Sequence, residues 1–391
     1  MRILFCLSEA LVPPHNGFKL ALHELVEALR HDHEVRIVAP GSGSDARLAR
    51  DTRIVEDRRP GLAGDARDFV RSLVSREPGR VERLSQLLAG PVREEIGTFQ
   101  PDVVHVSHGE LARVGAYLGS QPAILACLDA WHRNIQAQVD LAGGARRLHL
   151  QMQVQRIIRF AATEYSRFSH LTTVTPEDAA ALRALDSRLN ITPIPNGVNP
   201  VRATRPASPD GTPRLLFHGA MSFAPNVSAA RFLAKDILPL IHRTHPHVRL
   251  DLVGRRPARE VLELGDLPGV HVSGEVASLA PWMDAASVYA CSMVSGTGIK
   301  NKLLEAFAYG VPCVVTPVAL QGINASHGRE VMVGATPEEF AEQVISLLED
   351  PGSASAIGDA GRELVRRDHG WSAIATAYGK VYEAAIDAKR G

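Results

Sequence analysis

Lys300, Lys302 and Glu305 lie close together in the segment Ser295-Gly296-Thr297-Gly298-Ile299-Lys300-Asn301-Lys302-Leu303-Leu304-Glu305-Ala306. An apolar, strand-like run precedes the segment, and its two glycines open into a helical pattern. Backbone N–H groups at such a helix start suit an anion, and the helix dipole adds to the attraction. The two lysines bring positive charge to the same place; before Lys235 the only lysine is Lys19. A nucleotide diphosphate is the natural ligand for this pattern. Where that diphosphate is a leaving group, stabilising its growing charge is the main catalytic task. A carboxylate beside phosphate needs a task of its own, and Glu305 can accept two hydrogen bonds from a ribose diol. The alternative is a surface helix with ordinary lysines and a capping loop. A Walker phosphate loop is excluded by spacing, and Gly296-x-Gly298 is not followed by glycine at 301, which excludes the dinucleotide fingerprint.

These residues need a scaffold, and hydrophobic periodicity supplies one twice. Residues 2–8 read as a buried strand, Lys19–His31 as a helix with Leu20, Leu22, Leu25, Val26 and Leu29 along one side, and Val35–Ala39 as the next strand. Residues 45–100 are Arg-rich and poorly periodic at first, then helical. Val103–Val106, Ala123–Leu128 and Leu171–Val174 read as strands, with a helix over Gln151–Ser166. Val201–Pro213, rich in Pro, Ala, Ser and Asp, reads as a linker. The pattern then restarts, with strands at 215–218, 250–253, 270–272, 288–290 and 311–315. Helices are expected at 229–245, 299–309, 337–348, 353–367 and 371–389. Two successive strand–helix patterns predict an α/β protein of two doubly wound domains facing a cleft, with ligands outside the carboxyl ends of the strands.

Bulk properties narrow the function. The 391 residues exceed one ordinary core. Lys+Arg and Asp+Glu are both 43, so the chain lacks the basic excess of a nucleic-acid binder. The four cysteines sit in apolar runs without a CxxC pair and read as reduced core residues. No stretch has the length and apolarity of a membrane span or a signal peptide, so a cytoplasmic location is expected. Arg146, Arg147, Arg156, Arg159 and Arg167 surround Leu148, Leu150, Ile157, Ile158 and Phe160. The favoured reading is an Arg-rich helix with one buried face; the alternative is a basic amphipathic surface in peripheral contact with the inner membrane face.

Seven motifs in order resemble the retaining family-4 glycosyltransferases of the GT-B fold. They are Pro14-His15-Asn16-Gly17, Pro101-Asp102-Val103-Val104-His105, Ile194-Pro195-Asn196-Gly197-Val198, Phe217-His218-Gly219-Ala220-Met221 with Pro225-Asn226-Val227, Leu252-Val253-Gly254, Val272-Ser273-Gly274-Glu275-Val276, and Lys302-Leu303-Leu304-Glu305-Ala306-Phe307-Ala308-Tyr309-Gly310-Val311-Pro312. The resemblance implies two Rossmann-like domains: residues 1–200 for the acceptor and 201–370 for the nucleotide sugar. Residues 371–391 then form a helix crossing back to the first domain. One departure stands out: the family's first glutamate of a pair separated by seven residues falls on Thr297, and only the second, Glu305, is kept.

The resemblance also implies roles. Gly17, Gly219, Thr297, Gly298, Ile299, Lys300, Lys302, Leu303 and Glu305 are expected at the donor. Lys300 and Lys302 would hold the diphosphate catalytically. Asp129 is expected as a catalytic residue and hydroxyl ligand rather than a helix cap, with Lys19 and His132 on the acceptor. His108 reads as structural or solvated, and His218 as a strand-end residue that could face the cleft. The implied reaction transfers a sugar from a nucleotide-diphosphate donor, UDP-linked by default, to a hydroxyl of a small-molecule, lipid-linked or glycan acceptor, with retention. The acceptor would attack on the face the diphosphate leaves, giving it the proton. No metal or other cofactor is expected, since the nucleotide sugar is a co-substrate. The competing readings are an inactive nucleotide-sugar-binding partner subunit and a GT-B sugar epimerase.

Overall fold

The computed structural model describes residues 1–11, 17–41, 51–57, 78, 80–199, 201, 211–296 and 298–390. The loop 14–16, most of the expected linker and Thr297 therefore lie outside the described residues. The chain forms two compact units, Met1–Asn196 with Trp371–Gly391, and Gly197–Gly370.

The first unit holds β1 (Arg2–Cys6), β2 (Glu34–Gly41), β3 (Thr52–Glu56), β4 (Val103–Ser107), β5 (Ala123–Leu128), β6 (His170–Thr173) and β7 (Ile191–Pro193). They form one parallel sheet in the order β3-β2-β1-β4-β5-β6-β7. Helices α1 (Gly17–Leu29), α2 (Val81–Phe99), α3 (Trp131–Leu141), α4 (Gly144–Glu164) and α5 (Pro176–Leu185) connect the strands. Covered on both faces, the central strands are buried and largely apolar, as a parallel sheet demands, with His105 and Ser107 of β4 the buried polar exceptions. Leu4, Cys6, Val104, Val106 and Leu125 face Leu84, Leu88 and Val92 of α2. On the other face, Ile3, Phe5, Val103 and Ile124 meet Leu22, Leu25, Val26 and Leu29 of α1. Ile374, Tyr378, Val381 and Tyr382 of the C-terminal helix, Trp371–Arg390, pack there too. Each fully buried aliphatic side chain contributes about 1.5–3 kcal/mol. Leu20 departs from its expected place on the buried stripe and is exposed.

The second unit repeats the plan. Strands β8 (Arg214–His218), β9 (Arg249–Val253), β10 (Val270–Gly274), β11 (Val288–Cys291), β12 (Cys313–Val315) and β13 (Met332–Val333) run parallel in the order β10-β9-β8-β11-β12-β13. The helices are α6 (Ala224–Phe232), α7 (Leu238–Ile241), α8 (Arg259–Leu262), α9 (Ala280–Ala285), α10 (Asn301–Ala308), α11 (Pro337–Glu349) and α12 (Pro351–Asp368). The chain enters and leaves this unit side by side, where Val198 N–H donates to His369 O at 2.7 Å. In both sheets the strand order reverses beside the first strand, between β1 and β4 and between β8 and β11. A ligand crevice forms at such a point.

Several elements differ from expectation. β3 falls in a stretch read as aperiodic. It is a half-exposed edge strand whose charged residues hide its pattern. The helices α3 and α5 and the two-residue strand β13 were not anticipated. The α5 start was legible as Thr175-Pro176-Glu177-Asp178, where the Thr175 hydroxyl accepts from Asp178 N–H at 3.0 Å. The helix expected over 229–245 is divided by a π turn at Leu233–Ile237. Pro239 has no N–H for the carbonyl four residues back, and the wider turn takes up that loss. The Arg-rich helix begins earlier than expected, at Gly144. Val154, Ile157 and Phe160 are buried, as for a helix with one covered face, while Leu148, Met152, Arg146 and Arg147 are exposed.

Candidate functional site

In the second unit, chemistry gathers where β8 and β9 end and α10 begins. Gly219 follows β8 at φ +155, and Gly254 follows β9 at φ +151. A Cβ on Gly254 would stand 1.7 Å from Gly219 O. A Cβ on Gly219 would stand 2.7 Å from Asn226 Nδ2 and 3.0 Å from Lys302 Nζ. Only glycine lets backbone and lysine approach so closely. Lys302 projects from the first turn of α10. Its ammonium donates to Asn226 Oδ1 and lies 4.6 Å from the centre of the Phe217 ring. Asn226 is in turn anchored by its Nδ2 donating to Ala220 O at 2.9 Å. Protein surrounds the ammonium, and that burial pushes its pKa down to about 8. Among the described residues no carboxylate is bonded to this cation.

Glu305 stands one turn further along α10, three residues after Lys302 and on the same side. Its Oε2 is 2.9 Å from His218 Nε2, and His218 Nδ1 is 3.0 Å from the Tyr289 hydroxyl. Sequence reading had placed His218 at a strand end without this partner. Its distance in sequence from Glu305 hides the pairing, and only the register of β8 against β11 brings Tyr289 alongside.

The other expected donor residues behave differently. Lys300 is buried, and its ammonium donates to Gly296 O at 3.1 Å and Gly298 O at 2.8 Å. It therefore braces the glycine loop from within. Leu303 turns its side chain into the core, and its N–H donates to Lys300 O at 2.8 Å. This fits a core role better than ligand contact. Ile299 is half-buried against the same core. Gly296 and Gly298 have φ of +111 and +71, and the N-cap residue Lys300 makes no side-chain capping bond to α10. Thr297 lies outside the described residues.

In the first unit the strand ends carry a second cluster. His108 after β4 and Leu128 at the end of β5 have φ of +88 and +63. Left-handed backbone at non-glycine residues is strained and concentrates at functional sites. Leu128 turns Asp129 out of the sheet. Asp129 is not a helix cap: the N-cap of α3 is Ala130. Its Oδ2 accepts from Asn134 Nδ2 at 2.9 Å. Burial raises the Asp129 carboxyl above the usual range, against the opposing pull of His108 and the Asn134 bond. His132 on α3 has its pKa lowered, by burial first and Arg133 second. Its Nδ1 is buried without a hydrogen-bond partner among the described residues. Arg133 reaches Asp178 at 3.3 Å, and Glu110 pairs with Arg80 at 3.0 Å. Lys19, expected to meet an acceptor, is buried and pairs with Glu9 at 3.2 Å. Gly17 heads α1.

All four cysteines are free and buried. Among the described residues no group of three or more His, Cys, Asp or Glu could hold a metal ion, and no helix is long and apolar enough to cross a membrane.

Comparison with known proteins gives the family and the fold. Residues 16–202 match the model described as Glycosyltransferase Family 4, and residues 212–350 that of Glycosyl transferases group 1. The glycogen synthase of Mycobacterium tuberculosis is 30% identical over 218 residues, 51% of this chain and 49% of that protein. The phosphatidyl-myo-inositol mannosyltransferase of Mycobacterium leprae is 29% identical over 201 residues, 49% of this chain and 52% of that one. The chain thus spans about half the length of the curated relatives it matches. Among solved structures, the sucrose-phosphate synthase of Thermosynechococcus elongatus superposes with a TM-score of 0.73 at 17% identity, covering 99% of this chain and 100% of that one. Anabaena HepE in complex with UDP and glucose superposes at 0.67 and 15% identity, covering 98% of this chain and 100% of that one. The two family matches lie end to end, one over each sheet, on a fold shared with GT-B enzymes, and the chain belongs to the family-4, group 1 glycosyltransferases.

Proposed function

We propose that this chain transfers a sugar from a nucleotide-diphosphate donor to an acceptor hydroxyl with retention of anomeric configuration. The observation that carries the reading is the enclosed Lys302 ammonium beside Gly219, with Glu305 one turn along the same helix. Lys302 would neutralise the diphosphate and stabilise the charge that develops as the sugar–phosphate bond breaks. Glycine at 219 leaves room for that anion's oxygens. Glu305 would accept from the ribose diol. Asp129, with its raised carboxyl, and His132, with a buried nitrogen lacking a partner, are proposed to meet the acceptor.

The acceptor hydroxyl would attack the anomeric carbon on the face the diphosphate leaves. A C–O bond to the acceptor forms, the C–O bond to phosphate breaks, and the proton passes to the departing phosphate oxygen. No protein nucleophile is required, in contrast to a retaining glycosidase. The co-substrate carries the activation, so the proposal includes no metal or other cofactor. A UDP-sugar is the favoured donor, supported by the UDP and glucose bound to HepE. The mannosyltransferase relative makes a lipid-linked acceptor one class to screen.

Thermal stabilisation by UDP-, GDP-, ADP- and dTDP-sugars tests the reading, since a ligand of the native state raises its melting temperature. The expected result is a shift with one nucleotide family, lost in Lys302→Ala and Glu305→Ala. A shift unchanged in both variants overturns this site. Turnover with the identified donor, followed by NMR of the product anomer, tests retention.

A further inference from the structure

His218 stands between a carboxylate and a phenol, Glu305 at its Nε2 and Tyr289 at its Nδ1. The Glu305 carboxylate only accepts, so the proton facing it sits on His218 Nε2. In that tautomer Nδ1 can accept from the Tyr289 hydroxyl. Tyr289 is fully buried in β11, and burial keeps its hydroxyl protonated. The result is a directed chain, Tyr289 O–H to His218 Nδ1 at 3.0 Å, then His218 Nε2–H to Glu305 Oε2 at 2.9 Å. Its members come from β11, β8 and α10, so it ties a helix side chain to the two central strands of the sheet. The His218 and Tyr289 rings lie 5.5 Å apart at 58°, which holds the imidazole edge towards Glu305.

A glutamate on a helix surface ordinarily samples several rotamers. Here one oxygen is fixed from the sheet side. The other, Oε1, is bonded by no described residue, and the side chain remains about a third exposed. We infer that His218, braced by Tyr289, is a positioning residue that aims the Glu305 carboxylate at the ribose diol and so sets how strongly the site prefers ribonucleotides over 2′-deoxyribonucleotides. A site that holds its acceptor ready for a hydroxyl rejects the analogue lacking it, because a buried polar group is then left unpaired. A carboxylate free to turn away loses much of that discrimination. This inference rests on the donor-site reading above.

The test compares UDP with 2′-deoxy-UDP on the full chain by calorimetry. Wild type is expected to prefer UDP by about tenfold or more, and Glu305→Gln to lose most of that preference. His218→Leu should collapse the ratio to within about threefold by weakening UDP, with 2′-deoxy-UDP affinity little changed. His218→Gln, whose amide can donate where Nε2 does, should restore most of the ratio. A merely structural histidine would lower stability and both affinities together, leaving the ratio intact. Should His218→Leu fail to fold, Tyr289→Phe removes a single oxygen and should lower the ratio part-way. A wild-type ratio in the His218 or Tyr289 variants, with the ratio lost in Glu305→Gln, overturns the inference alone. A wild-type ratio in Glu305→Gln, or no binding of either nucleotide to wild type, overturns the donor-site reading beneath it.

Discussion

The two sheets share a strand order, yet their strand ends are furnished in different ways. In the second unit, Lys302 has an amide and an aromatic ring for company and no carboxylate bonded to it among the described residues, while Glu305 is held by a histidine at one oxygen. In the first unit, charges are largely matched internally: Lys19 with Glu9, Arg133 with Asp178, Arg80 with Glu110. Asp129 has a raised carboxyl there, and His132 Nδ1, like Ser107 Oγ at the end of β4, is buried without a hydrogen-bond partner among the described residues. A site for a fixed ligand such as a diphosphate can be built by leaving one charge without a directly bonded counter-ion. Internally paired charges instead brace the ends of helices and strands, and the proposed acceptor recognition is left to a few polar atoms.

The contrast is sharpened most by removing the Lys302 charge. Lys302→Ala should lower kcat/KM by about 100- to 1000-fold, the usual cost of one charge-stabilising donor, and abolish the donor-induced thermal shift. Gly219→Ala should imitate it more weakly, by about tenfold or more, because its methyl group displaces Asn226 and Lys302. An unchanged rate in either variant, measured at saturating acceptor, breaks the second-unit half of the comparison.

At the proposed acceptor site, Asp129→Asn should raise acceptor KM and lower turnover, together about 100-fold, while the donor-induced thermal shift stays as in wild type. A lost donor shift would merge the two sites and end the contrast. The depressed lysine pKa gives a pH test of intermediate size. A diphosphate favours the protonated ammonium, so its binding raises the Lys302 pKa from about 8. Donor affinity should therefore be flat below about pH 8 and fall by up to about tenfold per unit above it. Lys302→Arg should remove that fall, as followed by calorimetry across the range. The smallest effect on activity is expected at Lys19. Lys19→Met should lower stability by more than a surface ion pair would, because the lysine is buried against Glu9, and leave acceptor KM within about twofold, by denaturant titration and steady-state kinetics.

Legibility followed the same divide. The glycine loop, Lys302 and Glu305 could be read together because strand, loop and helix start are contiguous in the chain. Leu303 was read with them for the same reason, although helical periodicity alone turns it into the core. Lys300 was seen as a charge, but burial against its own loop carbonyls was invisible without coordinates. The α5 capping pattern at Thr175 was present and went unread. The edge strand β3 carried too little apolar periodicity to be found.

The amino-acid sequence alone determined the doubly wound class, the placing of the glycine loop before a helix and the residue types at the proposed anion site. All of these rest on local spacing, which a strand or helix converts directly into a face or an end. Tertiary structure alone decided that Lys302 is surrounded and Lys300 inward, that Lys19 answers Glu9, and that Tyr289, His218 and Glu305 form one chain. Those pairings join residues far apart in sequence, and they exist only because parallel strands set distant residues in register and packing then removes the water that would otherwise compete for them.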